Sequence, residues 1–285
     1  MEIEKAREIG FCFGVRRAIN LLEGAAQRHG AVETLGAVVH NQTVIKDLER
    51  QGVNVVGSLD EVKGAVVAIS SHGVGPQVLQ SIQDRKLQAI DATCPRVRHA
   101  QRVAREMSRH GLYVIIFGDA NHPEVKGVLG WAGGNGVACV NGEILPNIDK
   151  IPQNIGILSQ TTQSHENFAR FAASIVDHGL HRFKEVRLVN TICRATSKRQ
   201  VAAIDLAGRH DLVFVVGGHS SSNTRRLLEV CRKTGVETHL VETVDEIEPT
   251  WLDGKHSIGI TAGTSTPDQT IDEVLGKLRS LSDSR

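Results

Sequence analysis

The stretch AIDATCPRVRHAQRVA, residues 89–104, runs from a short apolar segment through Cys94 into a segment of helical periodicity. The same order occurs at two other places, where REIGFC (7–12) precedes VRRAINLLEGA (15–25) and LVNTIC (188–193) precedes RATSKRQVAAI (194–204). A strand that leads into a helix is the building unit of parallel sheets, and its recurrence along the chain indicates internal repeats. We therefore expect an α/β fold of three related repeats, each with one cysteine at a strand–helix junction.

Hydrophobic patterning elsewhere supports this fold class. Short apolar runs rich in β-branched residues predict strands at 65–70, 113–118, 155–159, 212–216 and 258–261. Apolar residues at helical spacing, each series opened by a proline suited to the first helical position, predict helices over 95–109 and 267–281. The alternation of these elements predicts mostly parallel sheets.

No proline- or serine-rich linker separates the repeats, so we expect them to pack tightly against one another. The candidate boundaries between them fall at the cysteines. The predicted repeats are 12–94, 95–193 and 194–285, and a strand within residues 1–11 is predicted to complete the third. A competing explanation is that any α/β protein repeats strands, loops and helices. The common order of strand, cysteine, helix and polar loop favours three related repeats.

A polar loop follows each of these cysteines at a constant interval. Positions 28 residues after Cys12, Cys94 and Cys193 are His40, His122 and Ser221. They lie in the loops VVHNQT, GDANHPE and GGHSSSN, the last of which also contains Ser222 and Asn223. A second polar loop follows in each repeat, with His72 in SHGVG, Thr161 in SQTTQS and Ser265 in TAGTST.

These loops are expected at the carboxyl ends of parallel strands, where open α/β sheets bind their ligands. Hydroxyl, amide and imidazole groups just before helix N-termini suit the oxygens of a phosphate group. For any single serine or threonine, N-capping of a helix is the competing explanation, and a lone histidine is usually structural. Histidines in equivalent loops favour a binding site.

The three cysteines are expected to ionise readily, because backbone N–H groups at a helix N-terminus favour negative charge. Thiolates bind soft metals and iron–sulfur clusters. The cysteines lack the CxxC pairs of common structural zinc sites, so their local sequence alone is weak evidence for a metal site. Three buried structural cysteines and a Cys₃His zinc site remain alternatives to a cluster. Cys139 and Cys231 lie in apolar segments and are predicted to be core residues.

Glu124 is the only carboxylate in the three-residue signatures of these loops, which are residues 39–41, 71–73, 122–124, 160–162, 221–223 and 264–266. Beside an anionic ligand its pKa would be raised, and it could then act as a proton donor. Equally, it could be the first-turn acid of a helix opened by Pro123. The sequence leaves these two interpretations open.

Composition excludes several classes of protein. The 285 residues carry a formal net charge of +1, which gives no electrostatic indication of nucleic-acid binding, and no apolar run has the length of a membrane span. The N-terminal MEIEKAREIGFCFG has charges where a signal peptide needs an apolar core. We therefore expect a cytoplasmic protein, with its odd number of five cysteines reduced.

The ordered motifs resemble those of the LytB family, the 4-hydroxy-3-methylbut-2-enyl diphosphate reductases of the non-mevalonate isoprenoid pathway. The resemblance extends from about residue 9 to residue 280. The motifs that carry it are GFCFGVRRAI, VVHN, SHGV, DATCP, HPEVKG, SQTT, ICRAT, SSSN and TAGTSTPD.

The resemblance implies a trefoil of three α/β repeats around one central [4Fe–4S] cluster per chain, with Cys12, Cys94 and Cys193 as its ligands. An open iron would bind the substrate hydroxyl. The implied diphosphate-binding residues are His40, His72, His122, Thr161, Ser221, Ser222, Asn223 and Ser265. Glu124, with Thr161 and His122, would handle the proton that lets water leave.

The resemblance also implies that a ferredoxin or flavodoxin supplies electrons, and we expect a monomer or a weak homodimer. Two other classes of protein remain possible. An open-iron [4Fe–4S] hydro-lyase would use three cysteines but would need no external electrons. A structural zinc protein with a ligand-binding role would be colourless and would contain zinc.

Overall fold

The computed structural model describes residues 1–140 and 145–283. Within these residues, the strands β1 to β12 are Glu2–Lys5, Val32–Leu35, Val53–Val56, Val66–Ile69, Gln88–Asp91, Tyr113–Phe117, Gly136–Cys139, Asn154–Ser159, Glu185–Leu188, Leu212–Val216, Glu237–Val241 and Ser257–Ala262. The α-helices α1 to α9 are Phe13–His29, Gln42–Arg50, Pro76–Asp84, Pro95–Arg109, Pro123–Trp131, His165–Gly179, Arg194–Ala207, Ser222–Arg232 and Asp268–Asp283.

The described strands form three four-stranded sheets with the same topology. Their strand orders are β3-β2-β4-β5, β7-β6-β8-β9 and β11-β10-β12-β1, and every pairing is parallel. In each sheet the first two strands of the repeat are neighbours, the third lies beside the first, and the strand that leads to a cysteine is at the edge. The predicted α/β fold with three related parallel sheets is therefore confirmed.

The N-terminal strand occupies the edge of the third sheet. Ile3 pairs with Ile258 in parallel register, and Lys5 pairs with Ile260. β1 thus takes the position that β5 and β9 take in their sheets, although it is more than 250 residues from its partner strand in sequence. The repeat boundaries at the cysteines stay a prediction.

Backbone packing divides the chain into two compact units. The first consists of Met1–Arg16, Val39–Leu48 and Arg194–Arg285, and the second consists of Arg17–Val38 and Glu49–Cys193. The core of the first unit is formed by side chains such as Phe214, Ile260 and Val274. The second unit contains two sheets, and Ile115 and Ile157 are fully buried in it. Burial of aliphatic side chains on both faces explains why the central strands read as continuous apolar runs.

The predicted elements agree with the observed ones to within about two residues, which is the usual ambiguity of element ends. The helix predicted over 95–109 is α4, which begins at Pro95 and ends at Arg109. The helix predicted from Pro267 begins one residue later, at Asp268. Pro267 supplies a carbonyl that accepts the Ile271 N–H at 3.3 Å, so it lies just before the first helical residue. Among the described helices, none is both long and apolar enough to cross a bilayer.

Candidate active site

Two of the three cysteines, Cys94 and Cys193, belong to the second compact unit and are held in the same way. The backbone N–H of Cys94 donates to the carbonyl of Ser71 at 3.0 Å, and that of Cys193 donates to the carbonyl of Thr161 at 2.9 Å. Ser71 is the second residue after β4, and Thr161 is the second residue after β8. The end of the third strand of each repeat therefore fixes the backbone of its cysteine.

Cys12, in the first compact unit, repeats this arrangement. Its N–H donates to the carbonyl of Thr264 at 3.1 Å, and Thr264 is the second residue after β12. The Sγ atom of Cys12 accepts the N–H of Val15, in the first turn of α1, at 3.5 Å. The first turn of α1 therefore directs a backbone N–H at this sulfur.

The chemistry of these three side chains fits an iron–sulfur cluster. Cys12, Cys94 and Cys193 are thiols of intermediate exposure, and each lies immediately before a helix, respectively α1, α4 and α7. Cys139 and Cys231 are buried, as predicted for core residues. Burial raises the pKa of the Cys231 thiol to about 12, so this residue stays protonated and is a poor metal ligand.

Glu124 lies in the first turn of α5, and its carboxyl group is buried against Thr161. The Oε1 atom accepts the backbone N–H of Thr161 at 2.7 Å, and Oε2 accepts the Thr161 hydroxyl at 2.9 Å. Burial raises the pKa of Glu124, and the two hydrogen bonds from Thr161 oppose this rise. Glu124 is therefore the first-turn acid of α5 and also a buried acid with a raised pKa, and its role as a proton donor stays a prediction.

His122 and His72 lie together in the second compact unit. Their rings pack edge to face with centroids 5.3 Å apart. His122 caps the N-terminus of α5, because its Nδ1 accepts the N–H of Glu124 at 3.1 Å. The accepting Nδ1 places the imidazole proton on Nε2, which is then a donor suited to an anionic oxygen.

His40 and the serine loop lie in the first compact unit. The carbonyl of His40 lies so close to Gly218 that a Cβ atom there would be 2.4 Å from it, which explains the glycine in the GGHSSSN loop. Burial, with a smaller contribution from the charge of Arg225, lowers the pKa of His40. The ring is therefore neutral at physiological pH, able to donate one hydrogen bond without carrying a charge.

The GGHSSSN loop presents both capping and uncommitted polar groups. Ser221 is the N-cap of α8, and its hydroxyl accepts the Thr224 N–H at 3.3 Å. Asn223 is 3 % exposed, and neither polar atom of its amide has a hydrogen-bond partner among the described residues. Ser222 is partly exposed, and Ser265, after β12, is buried. A buried amide without partners requires an explanation, and a bound ligand would provide one.

Two sets of groups near the predicted site residues were not themselves predicted from the sequence. The backbone carbonyls of Ser71, Thr161 and Thr264 position the cysteines, and only superposition of the three repeats at the strand ends would have identified them. Asn41 is 2 % exposed, and its Oδ1 accepts the Val44 N–H at 3.0 Å while its Nδ2 has no partner in the described part of the chain. Its position beside His40 was the available signal.

The family model described as "LytB protein" matches residues 3–279. The chain belongs to the LytB family. Among relatives of this LytB-family chain, the 4-hydroxy-3-methylbut-2-enyl diphosphate reductase of Dehalococcoides mccartyi strain CBDB1 is 51 % identical over 282 residues, which is 99 % of each chain. That of Geobacter metallireducens is 41 % identical over 283 residues, covering 99 % of this chain and 98 % of its own.

Two solved structures extend the similarity to the fold. The structure of the E-1-hydroxy-2-methyl-but-2-enyl-4-diphosphate reductase from Plasmodium falciparum matches with a TM-score of 0.87 and 28 % identity, covering 96 % of this chain and 87 % of that one. A structure of an (E)-4-hydroxy-3-methyl-but-2-enyl diphosphate reductase, described as the terminal enzyme of the non-mevalonate pathway, matches with a TM-score of 0.69 and 35 % identity. It covers 98 % of this LytB-family chain and 100 % of that one.

Proposed function

We propose that this chain reduces 4-hydroxy-3-methylbut-2-enyl diphosphate to isopentenyl and dimethylallyl diphosphates, the last step of the non-mevalonate pathway. The observation that carries the proposal is the contact of Thr161 with two groups. Its N–H and hydroxyl bind the carboxyl group of Glu124, and its carbonyl accepts the N–H of Cys193. A buried proton source is thereby joined, through one residue, to a proposed cluster ligand.

The cofactor proposed is one [4Fe–4S] cluster per chain, with Cys12, Cys94 and Cys193 as its ligands and the three repeats arranged around it as a trefoil. Equivalent backbone support of all three cysteines favours a common role for them. When bound, such a cluster would supply electrons and a Lewis-acidic iron for the substrate hydroxyl. The chain's own residues then have to bind the diphosphate and deliver protons.

Diphosphate binding is assigned to the polar loops at the strand ends, through His40, His72, His122, Thr161, Ser221, Ser222, Asn223 and Ser265. The buried, unsatisfied amide of Asn223 is the strongest support, because a phosphate oxygen would satisfy its N–H donors. The Nε2–H of His122 provides a further donor. Holding the diphosphate in this way fixes the orientation of the hydroxyl at the other end of the substrate.

Proton delivery is assigned to Glu124, Thr161 and His122. The buried Glu124 keeps its proton at a higher pH than an ordinary carboxyl group does. With Glu124 protonated at Oε2, its O–H would donate to the Thr161 hydroxyl, the reverse of the bond that the ionised carboxylate accepts, and the hydroxyl could then pass its own proton to the leaving oxygen. Protonation makes the hydroxyl a better leaving group, and it departs as water. One substrate, two electrons and two protons give one product molecule and one water molecule.

A ferredoxin or flavodoxin would supply the two electrons, and the protein would act in the cytoplasm as a monomer or weak homodimer. A reducing compartment is compatible with thiols that form no disulfide.

An anaerobic assay with the diphosphate substrate and reduced methyl viologen tests the function. We expect the viologen to be oxidised in step with product formation. Turnover without any reductant would instead support a hydro-lyase, and a colourless preparation that contains zinc rather than iron and sulfide would support a structural zinc protein.

A further inference from the structure

Helix α4, which follows Cys94 directly, concentrates positive charge. Its 15 residues, PRVRHAQRVAREMSR, include five arginines and a single acidic residue, whereas the whole chain has a net charge of only +1. The helix buries Val97, Ala100, Ala104 and Met107. Most of its arginines are therefore directed away from the core, and Arg98, Arg102 and Arg109 are exposed.

Arg102 lies between two hollows in the surface of the second compact unit. One hollow, of about 280 Å³, is lined by Arg98, Arg102 and Arg105 together with Trp131 and Val74. The other, of about 460 Å³, is lined by Arg102 together with other residues of α4 and with Arg187 and Val189. A raised side chain between two hollows is complementary in shape to the uneven surface of a protein. It does not form the single enclosed pocket that binds a small ligand.

The side chains of the first hollow are held in place. The Arg105 guanidinium lies 5.4 Å from the centroid of the Trp131 ring, and Trp131 Nε1–H donates to the carbonyl of Val74 at 3.0 Å. The buried Nε of Arg105 has no hydrogen-bond acceptor among the described residues. Guanidinium groups fixed on an aromatic ring retain their capacity to bind carboxylates.

The charges on this surface differ in how far they are neutralised. Arg98 is paired with Asp91 at 2.5 Å, whereas Arg102 forms no ion pair with any residue that the structure describes. Glu106, the acidic residue of the helix, lies 4.0 Å from the Arg105 guanidinium. Excess positive charge therefore remains at Arg102, in the centre of the surface.

The hollow also extends to the neighbour of a proposed cluster ligand. Thr93, which immediately precedes Cys94, lines it together with Asp91. The carbonyl of Thr93 accepts a hydrogen bond from the Arg17 guanidinium at 3.3 Å, and its N–H donates to Asp91 at 2.9 Å. An occupant of this surface would thus lie close to the cysteine, as electron transfer between two proteins requires.

We propose that the arginine ridge, defined as Arg98, Arg102 and Arg105 of α4 with Trp131 of α5, is the docking surface for a small acidic ferredoxin. The proposal rests on the proposed function. Two reduced ferredoxins dock in turn, and each is oxidised by one electron. The two electrons, with two protons, convert the substrate hydroxyl to water and the substrate to product. Charge complementarity accelerates such short-lived encounters, and the small interface permits rapid dissociation.

Binding of oxidised ferredoxin to the anaerobically purified holoenzyme, measured by calorimetry, provides the first test. We expect Arg102→Glu to weaken binding by about tenfold at low ionic strength, and Arg102→Lys, which keeps the charge, to bind nearly as the wild type does. Arg279→Glu reverses one exposed charge on α9 and serves as the matched control. Equal affinities of Arg102→Glu and wild type would overturn the proposal.

Turnover with two donors separates this proposal from the function on which it rests. Arg102→Glu is expected to keep the wild-type rate with reduced methyl viologen, a small donor that needs no docking surface, and to lose about tenfold in rate with subsaturating reduced ferredoxin. If the wild type fails to turn over with viologen, the proposed function is wrong. If viologen-driven turnover is normal and Arg102→Glu equals Arg279→Glu with ferredoxin, only the docking surface is wrong.

Discussion

The carboxyl group of Glu124 accepts two hydrogen bonds from one residue, Thr161, through its backbone N–H at 2.7 Å and its hydroxyl at 2.9 Å. The hydroxyl is the only one of these donors that a substitution can remove without altering the main chain. Because Thr161 also accepts the N–H of Cys193, its backbone position would be retained in such a variant. The two contributions of this residue can therefore be separated.

Thr161→Val is expected to reduce kcat with reduced viologen by about 100-fold, because the relay from Glu124 loses its hydroxyl. The variant should also lose about 1–3 kcal/mol in the free energy of unfolding, because Oε2 of Glu124 is left buried without its partner. Steady-state kinetics and denaturant unfolding measure the two effects. Thr161→Ser keeps the hydroxyl, so its kcat and its free energy of unfolding should both lie close to the wild-type values. A Thr161→Ser variant as slow as Thr161→Val would contradict the relay.

Glu124→Gln is expected to abolish turnover while the cluster content stays unchanged, since the amide cannot donate the required proton.

The same variant is expected to change the pH dependence of the free energy of unfolding. Burial raises the pKa of Glu124 above its ordinary value, so the folded protein binds this proton more tightly than the unfolded chain does. The free energy of unfolding therefore falls as the pH rises from the ordinary carboxyl pKa through the raised one.

The glutamine side chain does not ionise, so Glu124→Gln should lose less stability than the wild type as the pH rises from the ordinary carboxyl pKa through the raised one. Thermal unfolding at several pH values measures this difference. Glu166→Gln is the matched control, because Glu166 is likewise the first-turn acid of its helix, α6, but is exposed. The control should follow the wild type. Identical pH profiles for Glu124→Gln and wild type would show that Glu124 has an ordinary pKa.

The α/β class, the three repeats and helix α4 could be predicted from the sequence. They depend on local periodicity and on the recurring order of strand, cysteine, helix and polar loop. The sequence was less informative about edge strands. β5 and β9, for example, are only four residues long, are mostly exposed or partly exposed, and mix charged with apolar residues. Their periodicity is therefore weak, and their positions are determined by pairing with neighbouring strands.

The site was predictable only in part, and Glu124 illustrates the limit. Its sequence neighbours indicate a first-turn acid of α5, and nothing local to it indicates burial. Burial arises because the loop after β8, 37 residues away along the chain, supplies Thr161 as a hydrogen-bond donor. In the same way, the carbonyls of Ser71 and Thr264 carry no signal of residue type, since every residue has a carbonyl group.

Asn223→Ala is expected to raise KM for the diphosphate substrate by about 10- to 100-fold, because a hydrogen bond to a charged phosphate oxygen is lost. The free energy of unfolding should change by about 1 kcal/mol or less, because the buried amide has no partner among the described residues in the free protein. Kinetics and denaturant unfolding test both statements.

Asn54→Ala, at an exposed position of β3, is the control and should alter neither KM nor the free energy of unfolding. A large loss of stability with normal KM would instead assign Asn223 a structural role.

Cys94→Ser is expected to lose most of its iron and sulfide without unfolding. Serine is a favourable residue at a helix N-cap, the position that Cys94 occupies in α4, and the backbone N–H that binds the Ser71 carbonyl is unchanged. The substitution therefore removes the thiolate with little effect on the local fold.

Cys139→Ser is the control, because Cys139 is buried at the end of β7 and is proposed to have no part in metal binding. Iron and sulfide analysis of anaerobic preparations, with circular dichroism to verify folding, distinguishes the two variants. Full iron and sulfide content in Cys94→Ser would exclude Cys94 as a ligand, whereas loss in both variants would show that cysteine replacement disturbs the fold rather than the site.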